Sequence, residues 1–372
     1  MPRTFEVVNK SVRKIAALAL ALGKPLYVAD KVPAGALHIK FLWSPHAHAV
    51  ITSLDASAAE QMPGVRCVLY HGNVPRVVHT TAGQGFPEPS PYDTFMFDRK
   101  VRHVGDRVAA VAAETIEQAE AALAAIQVEY QVLPAVLSMD DAMKPGAPVI
   151  HDEAEAHQPI PVPYEPAINK AAFVGMDVGK LEDGLAEADE ALDLSYYAHY
   201  AQHCPIEPHV AFAEVDAEGR IVIVTSTQVP FHVRRIVAQC LQIPVRRIRV
   251  IKPRIGGGFG VKQEVLVEDV VALMAQRTGK PCFLEYTRAE EFISSRTRHP
   301  IRTRIRLGAK RDGSLTALGM ECLSNMGAYG GHALTVVCNC GSKMLPLYRA
   351  SHVHFTGTAV YTNLPVGGAY RG

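Results

Sequence analysis

The sequence predicts an α+β protein built as two domains. Strand and helix patterns alternate in both halves, a proline-rich stretch separates the halves at residues 158–166, and a strand–helix–strand unit precedes a run of glycines at residues 256–260. With 372 residues and 48% hydrophobic content, the chain is long enough for more than one core, because domains typically hold about 100–200 residues.

The N-terminal half shows a compact strand–helix–strand pattern. Residues 107–113 tend toward a strand, Thr115 and Gln118 form a capping box, residues 119–126 form an alanine-rich helix, and residues 128–133 return as a strand. We therefore expect a small sheet covered by one helix in this half.

A short apolar run near the start resembles a secretory signal. Arg13 and Lys14 precede eight apolar residues that end before Gly23. The run is too short to span a membrane and marginal for the core of a signal peptide. We predict that this segment packs against the protein.

Four prolines at residues 158–166 mark the boundary between the halves. Proline removes a backbone donor, so neither a helix nor a central strand can pass through this stretch. The predicted organisation is a first domain at residues 1–157, a proline-rich linker at residues 158–175 and a second domain at residues 176–372 that is incomplete at its C-terminus.

The second domain is predicted to contain a parallel crossover. Residues 220–226 form a strand, Pro230 suits the first position of a helix over residues 231–241, and residues 248–252 form another strand. A right-handed crossover places the carboxyl ends of both strands at one edge of the sheet. Gln228 should therefore lie beside the glycine run, although it could also be a turn residue that bonds only to its own loop.

Two further patterns follow the crossover. Thr287 and Glu290 form a second capping box. Residues Ile301, Thr303, Ile305 and Leu307 alternate with three arginines, and Asp312-Gly313 then predicts a hairpin into residues 315–323. We interpret the basic face of this strand as facing solvent or another subunit and not as a substrate site.

The run at residues 256–260, Gly-Gly-Gly-Phe-Gly, is the most informative motif. It removes side chains between a strand and a predicted helix at residues 264–276, so backbone amides can contact an anionic ligand near a helix N-terminus. The spacing fits neither a dinucleotide fingerprint nor a P-loop, because Val261 occupies the sixth position and Gln263 follows Lys262. The run alone is also compatible with a tight turn that holds no ligand.

Composition excludes some partners. With 38 basic and 37 acidic residues, the chain lacks the charge excess typical of proteins that bind nucleic acid or an anionic membrane. Seven scattered cysteines, an odd number, indicate reduced thiols in the cytoplasm. We interpret Cys338 and Cys340, a lone C-x-C, as chance or a packed pair and not as a cluster site.

Taken together, the motifs resemble the molybdenum-binding subunit of the xanthine dehydrogenase and aldehyde oxidase family, the molybdenum hydroxylases. The stretches similar to the family's N-terminal α/β hammerhead domain are residues 23–30, 44–49, 104–109, 127–130 and 148–153. Those similar to the first half of its molybdopterin-binding domain are residues 202–208, 227–228, 256–262, 286–288 and 369–372. The resemblance covers nearly the whole chain, and its strength lies in the number and order of the motifs.

The resemblance implies a molybdopterin cofactor, either as such or as its cytosine dinucleotide, with molybdenum held by the pterin dithiolene and by no protein ligand. The residues it assigns to cofactor binding are Gln228, Gly257, Gly258, Phe259, Gly260, Ala369 and Arg371, with Gln228, Phe259 and Arg371 also assigned to catalysis. His46 and His48 match a zinc-binding H-x-H spacing, but the resemblance implies a structural role for them. Gln263 stands where some xanthine-oxidising relatives carry a substrate-binding glutamate.

The implied activity is hydroxylation of an electron-poor carbon, in an N-heteroaromatic ring or an aldehyde, with water as the oxygen source. The family's catalytic glutamate lies beyond Gly372, and Glu264, Glu268, Glu285 and Glu290 have ordinary structural explanations. The resemblance therefore implies one half of a split large subunit, as in nicotinate dehydrogenases, completed by a second molybdopterin-binding polypeptide.

Electrons would then leave through a 2Fe-2S subunit and an FAD subunit. The alternatives are a truncated or inactive scaffold of the same family, and a non-catalytic module that binds a phosphate or nucleotide at the glycine turn.

Overall fold

The computed structural model describes residues 5–83 and 85–370 of the chain. Within these residues the strands are β1 (Leu37–Trp43), β2 (Ala49–Asp55), β3 (Val65–Tyr70), β4 (Lys100–Val101), β5 (Arg107–Ala113), β6 (Gln127–Val132), β7 (Lys170–Val178), β8 (Glu190–Ala198), β9 (Ala201–Gln202), β10 (Val210–Val215), β11 (Ile221–Thr225), β12 (Ile248–Ile251), β13 (Cys282–Glu285), β14 (Thr297–Arg298), β15 (Ile301–Ala309), β16 (Leu315–Gly327) and β17 (Ala350–Tyr361).

The α-helices of the same residues are α1 (Ala17–Ala21), α2 (Ser57–Glu60), α3 (Ile116–Ala125), α4 (Met139–Ala142), α5 (Leu181–Ala186), α6 (Pro230–Cys240), α7 (Glu268–Thr278), α8 (Arg288–Ser294) and α9 (Ala333–Met344). None of these helices combines the length and the hydropathy that a membrane span needs. The mixture of helices and strands confirms the predicted α+β class.

A seven-stranded sheet in the order β12-β11-β10-β13-β1-β5-β3 forms the centre of the protein. Strand β1, from the N-terminal half, pairs in parallel with β13 from the C-terminal half, with Leu37 opposite Cys282. Helices α6 and α7 cover this sheet and bury the largest apolar core. Strands from both sides of the proline-rich stretch therefore share one sheet, and β7 begins at Lys170, inside the range predicted as a linker.

A second sheet of five strands, in the order β7-β17-β16-β15-β8, carries helix α9. Strands β15 and β16 pair antiparallel as the Asp312-Gly313 signal predicted. The arginines of β15 form exposed ion pairs on one face of this sheet, at 2.6–2.7 Å, and these pairs are Arg302–Asp140, Arg304–Asp193 and Arg306–Glu182.

Local sequence signals account for the elements that position the site. Helix α6 begins at Pro230 and buries Val233, Ile236, Val237 and Cys240, a spacing that lines one helix face. Strands β11 and β12 flank α6 and pair in parallel, which confirms the predicted crossover. Both predicted capping boxes are present, at the starts of α3 and α8.

The prediction for the N-terminal apolar run is wrong. Helix α1 buries none of its residues, and Ile15, Leu18 and Leu22 are exposed. Leu18 and Leu22 lie on one side of this short helix whereas Leu20 lies on another, so the segment has no single apolar stripe to bury.

Candidate functional site

The glycine turn follows the carboxyl end of β12 and has a strained backbone. Gly257 and Gly260 have φ of 104° and 105°, and Phe259 has φ of 54°. A left-handed conformation at a residue with a side chain costs about 1–3 kcal/mol, and such strain clusters at functional sites. Phe259 nevertheless leaves 56% of its surface exposed. An exposed phenyl ring on a strained turn indicates a surface shaped for a ligand.

Gln228 lies against this turn, as the crossover predicted. Its backbone N–H donates to the carbonyl of Lys262 at 2.8 Å, and its side-chain Oε1 accepts from the Gly260 amide at 3.0 Å. A Cβ at Gly258 would lie 2.5 Å from Gln228 Oε1. Only glycine at position 258 therefore lets the carboxamide reach the turn.

The turn presents unpaired donors. Among the described residues, none accepts a hydrogen bond from the amides of Gly257, Gly258 and Phe259. Successive backbone amides in a turn form a concave site for an anion. The turn therefore offers amide donors and one apolar ring to the same ligand.

Ala369 lies on the other side of the turn. A Cβ at Gly260 would lie 2.5 Å from the Ala369 carbonyl oxygen, so the two loops are in direct contact. The Ala369 oxygen accepts from His203 Nε2 at 2.9 Å, and the preceding Gly368 amide donates to Thr297 at 3.0 Å. The structure thus brings Gln228, the glycine turn and Ala369 together, whereas Arg371 lies outside the described residues.

The predicted helix at residues 264–276 is wrong at its start. Residues 261–263 form a single 3-10 turn, Glu264 is extended with φ −122° and ψ 162°, and α7 begins only at Glu268. Val265 donates to the Thr81 carbonyl at 2.9 Å, which holds this segment against the N-terminal half in an extended form. The positive end of α7 therefore does not abut the glycine turn, so any anion at the turn would meet the turn's own amides and not the helix N-terminus.

A buried charge cluster lies beneath the first half of the turn. Lys262 is fully buried, and its Nζ donates to the Glu207 carbonyl at 2.8 Å, to Glu207 Oε2 at 3.0 Å and to Ser226 Oγ at 2.8 Å. Glu207 Oε2 also accepts from the Gly256 amide at 2.7 Å. Burial lowers the pKa of Lys262, although the Glu207 carboxylate opposes this shift.

A second buried cluster lies beneath the C-terminal loop. Glu264 accepts from Arg296, from His332 Nδ1 at 2.8 Å and from Thr81 Oγ1 at 2.7 Å. Burial disfavours its charged form, but Arg296 and His332 outweigh burial and hold the pKa of Glu264 well below its usual range. A Cβ at Gly368 would lie 2.7 Å from Glu264 Oε1, so this cluster supports the loop that carries Ala369.

Two of the other predicted structural glutamates, Glu268 and Glu290, also have partners within the protein. Glu268 accepts from Thr225 Oγ1 at 2.7 Å and from the amides of Leu266 and Val267, just before its own helix. Glu290 completes its capping box and accepts from Lys40 Nζ at 3.1 Å. Glu285 lies exposed on β13, and burial together with the nearby Glu207 carboxylate raises its pKa. The contacts of Glu268 and Glu290 leave neither of these two available as a base at the turn.

His46 and His48 both contact the chain in and just after β6, and the His46 ring centroid lies 4.8 Å from that of Tyr130. His48 Nδ1 lies 2.7 Å from the Pro134 carbonyl oxygen, which ties the segment to the end of β6. No group of three or more potential metal ligands occurs within residues 5–83 and 85–370.

Sequence reasoning missed the roles of Lys262, Glu207 and Ser226. Lys262 and Glu207 are 55 positions apart in the chain, and no periodic pattern links positions that distant. The only local signal was a lysine directly after an apolar, glycine-rich turn. Because lysine is rarely buried without a partner, that position predicts a buried partner but not its identity.

Comparison with known proteins places this site in a larger context. A family model for the a/b hammerhead domain of aldehyde oxidase and xanthine dehydrogenase matches residues 22–134, and one for a molybdopterin cofactor-binding domain matches residues 164–372. The probable hypoxanthine oxidase of Escherichia coli strain K12 is 44% identical, covering 99% of this chain and 41% of that protein. The nicotinate dehydrogenase large molybdopterin subunit of Eubacterium barkeri is 30% identical, covering 100% of this chain and 83% of that subunit.

Solved structures show the same architecture. The aldehyde oxidoreductase of Desulfovibrio gigas has a TM-score of 0.84 and 28% identity, covering 96% of this chain and 39% of that chain. The quinoline 2-oxidoreductase of Pseudomonas putida 86 has a TM-score of 0.81 and 28% identity, covering 97% and 45%. The chain spans less than half of the Escherichia coli relative and of both solved chains.

Proposed function

Because the chain belongs to the xanthine dehydrogenase and aldehyde oxidase family of molybdenum hydroxylases, we propose that its glycine turn forms part of a molybdopterin site in such an enzyme. The observation that carries the proposal is the combination at the turn: three unpaired amides, the exposed Phe259 ring and the Gln228 carboxamide. The reaction is hydroxylation of an electron-poor carbon with oxygen derived from water.

The residues at the turn fit this cofactor. Its dithiolene sulfurs and phosphate are hydrogen-bond acceptors, which match the unpaired amides of Gly257, Gly258 and Phe259. Gln228 Oε1 is used by Gly260, which leaves the Gln228 Nε2 group to donate to the cofactor. Phe259 excludes water beside it, and Ala369 closes the opposite wall. When bound, the cofactor supplies the two-electron oxidation that side chains cannot perform.

The general base is proposed to come from protein outside these 372 residues. Glu264, Glu268 and Glu290 are committed to internal hydrogen bonds, so none can take a proton from a reacting group at the turn. The second molybdopterin-binding polypeptide expected from the sequence is the proposed source of this carboxylate.

The proposed electron acceptors are a 2Fe-2S subunit and an FAD subunit. One relative is described as a molybdenum-binding subunit and another as a large molybdopterin subunit, which supports a multi-subunit assembly. The cofactor can be molybdopterin or its cytosine dinucleotide. We propose the cytoplasm as the location, since free thiols such as these seven cysteines are typical of a reducing compartment.

The proposed substrate is an N-heteroaromatic compound or an aldehyde. Three relatives carry the names of N-heteroaromatic substrates, hypoxanthine, nicotinate and quinoline, and one carries the name of aldehydes. These four substrate types form the assay panel, with an artificial electron acceptor replacing the redox partners.

The test is purification of the native assembly, followed by molybdenum and pterin analysis and the substrate panel. Phe259→Ala should lower molybdenum content or kcat at least tenfold, because the ring would no longer shield the cofactor. Phe292→Ala is the matched control, since Phe292 on α8 is 51% exposed and lies outside the site. An assembly without molybdenum would overturn the proposal and favour the nucleotide-binding alternative, whereas bound molybdenum without turnover would favour the inactive scaffold.

A further inference from the structure

The two ends of the glycine turn are joined by one carboxylate oxygen. Glu207 Oε2 accepts from the amide of Gly256, where the turn begins, and from Nζ of Lys262, just after it ends. The Lys262 carbonyl in turn accepts from the Gln228 amide at 2.8 Å. These contacts form one hydrogen-bond network that includes both ends of the turn and Gln228, which follows β11.

Every donor of the buried Lys262 ammonium in this network has an acceptor. A lysine ammonium has three N–H donors, and Lys262 uses them on the Glu207 carbonyl, Glu207 Oε2 and Ser226 Oγ. Glu207 also packs directly on the turn, because a Cβ at Gly256 would lie 2.4 Å from Glu207 Cβ. The position of the turn is therefore set by directional contacts as well as by packing.

Stability alone does not account for this arrangement. A buried ion pair gains little over apolar residues of similar volume, because removing two charges from water offsets their attraction. Oriented hydrogen bonds, however, hold donors within a fraction of an ångström of their working positions, as preorganised sites require. The unpaired amides of Gly257, Gly258 and Phe259 lie between the two anchored ends.

We propose that Lys262 and Glu207 are positioning residues that clamp the glycine turn, and thereby hold its free amides, Phe259 and Gln228 in place for the cofactor. This inference rests on the proposed function for the identity of the ligand. The clamp itself is a property of this chain that can be measured without any ligand.

The experiment compares Lys262→Met with the double variant Lys262→Met/Glu207→Met in the native assembly, with Arg302→Gln on the surface of β15 as control. The single variant leaves a buried carboxylate unpaired and should unfold at lower denaturant concentration. The double variant removes both charges and should recover most of that loss. If the double variant regains stability but the glycine turn remains disordered, the pair positions the turn and does not merely stabilise the fold.

The first readout is hydrogen exchange of the peptide covering residues 255–264 in the cofactor-free assembly. In the double variant we expect exchange roughly tenfold faster than in the wild type, since Gly256 loses its acceptor and the turn opens locally. Arg302→Gln should leave this exchange unchanged. Wild-type exchange in a folded double variant would overturn the proposal.

The second readout uses the loaded enzyme. The double variant should show kcat per bound molybdenum lower by roughly tenfold to a hundredfold with KM little changed, because misplacement by about 1 Å can cost that much. The electron paramagnetic resonance spectrum of the reduced metal should also change. Wild-type kcat, KM and spectrum in the double variant would contradict the clamp.

A milder variant covers the case in which the double variant does not assemble. Ser226→Ala removes one contact of Lys262 and one of Glu207 Oε2 but keeps the ion pair, so exchange at residues 255–264 should accelerate to a smaller extent. Unchanged exchange in Ser226→Ala would overturn the inference. Absence of molybdenum from the wild-type assembly would refute the proposed function, whereas the exchange measurement would still decide on the clamp.

Discussion

Lys262 and Glu207 meet inside the protein, whereas Arg302 and its neighbours on β15 meet acidic partners at the surface. The Lys262–Glu207 distance is 3.0 Å with side chains 0% and 12% exposed, and the Arg302–Asp140 distance is 2.7 Å with side chains 45% and 62% exposed. The shorter distance does not make the surface pair stronger, because water screens its charges and the long arginine side chain must be ordered to form it.

The buried pair and the surface pairs also differ in the further hydrogen bonds that their carboxylates make. Within the described residues, the Asp140 carboxylate on α4 accepts hydrogen bonds from Arg302 alone, whereas the Glu207 carboxylate accepts from both Lys262 and a backbone amide of the glycine turn. Burial lowers the pKa of Lys262, while the hydrogen bond to Asp140 raises the pKa of Arg302. The structural role of an ion pair in this protein therefore depends on how deeply it is buried and on which other groups its members bond. The number of pairs and their distances do not reveal that role.

The largest expected effect is on the buried pair. Lys262→Met should lower the free energy of unfolding by about 3–5 kcal/mol, because Glu207 is left as an uncompensated buried charge. Equilibrium unfolding in urea measures this directly. A loss below about 1 kcal/mol would place the buried pair in the same class as the surface pairs.

Gly258→Ala should act on the site more than on stability. The new Cβ would lie 2.5 Å from Gln228 Oε1, so the carboxamide must move and its bond to Gly260 breaks. We expect kcat to fall about a hundredfold. Gly175→Ala on β7 is the matched control, since the nearest atom to its Cβ would be an ordinary 3.4 Å away. Similar kcat values for the two variants would argue against a close role for Gln228.

Acid should lower the stability of the protein through the buried His299. Burial lowers the pKa of His299 from 6.5 to about 4. Between these two pH values, the imidazole is therefore protonated in the unfolded chain and neutral in the folded chain. Stability is therefore complete above pH 6.5 and is lost as the pH falls toward 4, by about 2 kcal/mol at pH 5. Urea unfolding of wild type and His299→Gln at pH 7 and pH 5 measures this; the variant should lose less stability, and equal losses would contradict the prediction.

The smallest expected effect is at the surface. Arg302→Gln should change the free energy of unfolding by less than about 1 kcal/mol, and this change should shrink further in high salt. Unfolding at low and high ionic strength measures both terms. A loss as large as that of Lys262→Met would remove the contrast between the two sets of pairs.

Local signals predicted the elements around the site well. Pro230 and the apolar spacing of α6 predicted the crossover, and Thr115 and Thr287 predicted both capping boxes. The convergence of Gln228 and the glycine turn followed from the rule that parallel strands end at one edge. Each of these signals acts over a few residues or follows from strand direction.

Long-range contacts produced the errors. The helix predicted to leave the glycine turn at residue 264 begins only at Glu268, because Glu264 enters a buried cluster with Arg296 and His332. The apolar run near Leu18 was expected to be covered, but Leu18 and Leu22 remain exposed. Helix propensity predicts neither the late start of α7 nor the exposure of the apolar run. Both depend on which parts of the folded chain lie next to these segments.

By itself, the sequence determined the α+β class, the family resemblance and the place where amides are exposed, because periodicity, turn residues and glycine act through local geometry. The tertiary structure decided how the proline-separated halves share one sheet and which acid neutralises Lys262. Those outcomes depend on desolvation and on partners such as Glu207, 55 positions away, and the cost of burying a charge is fixed only when the surrounding chain has folded around it.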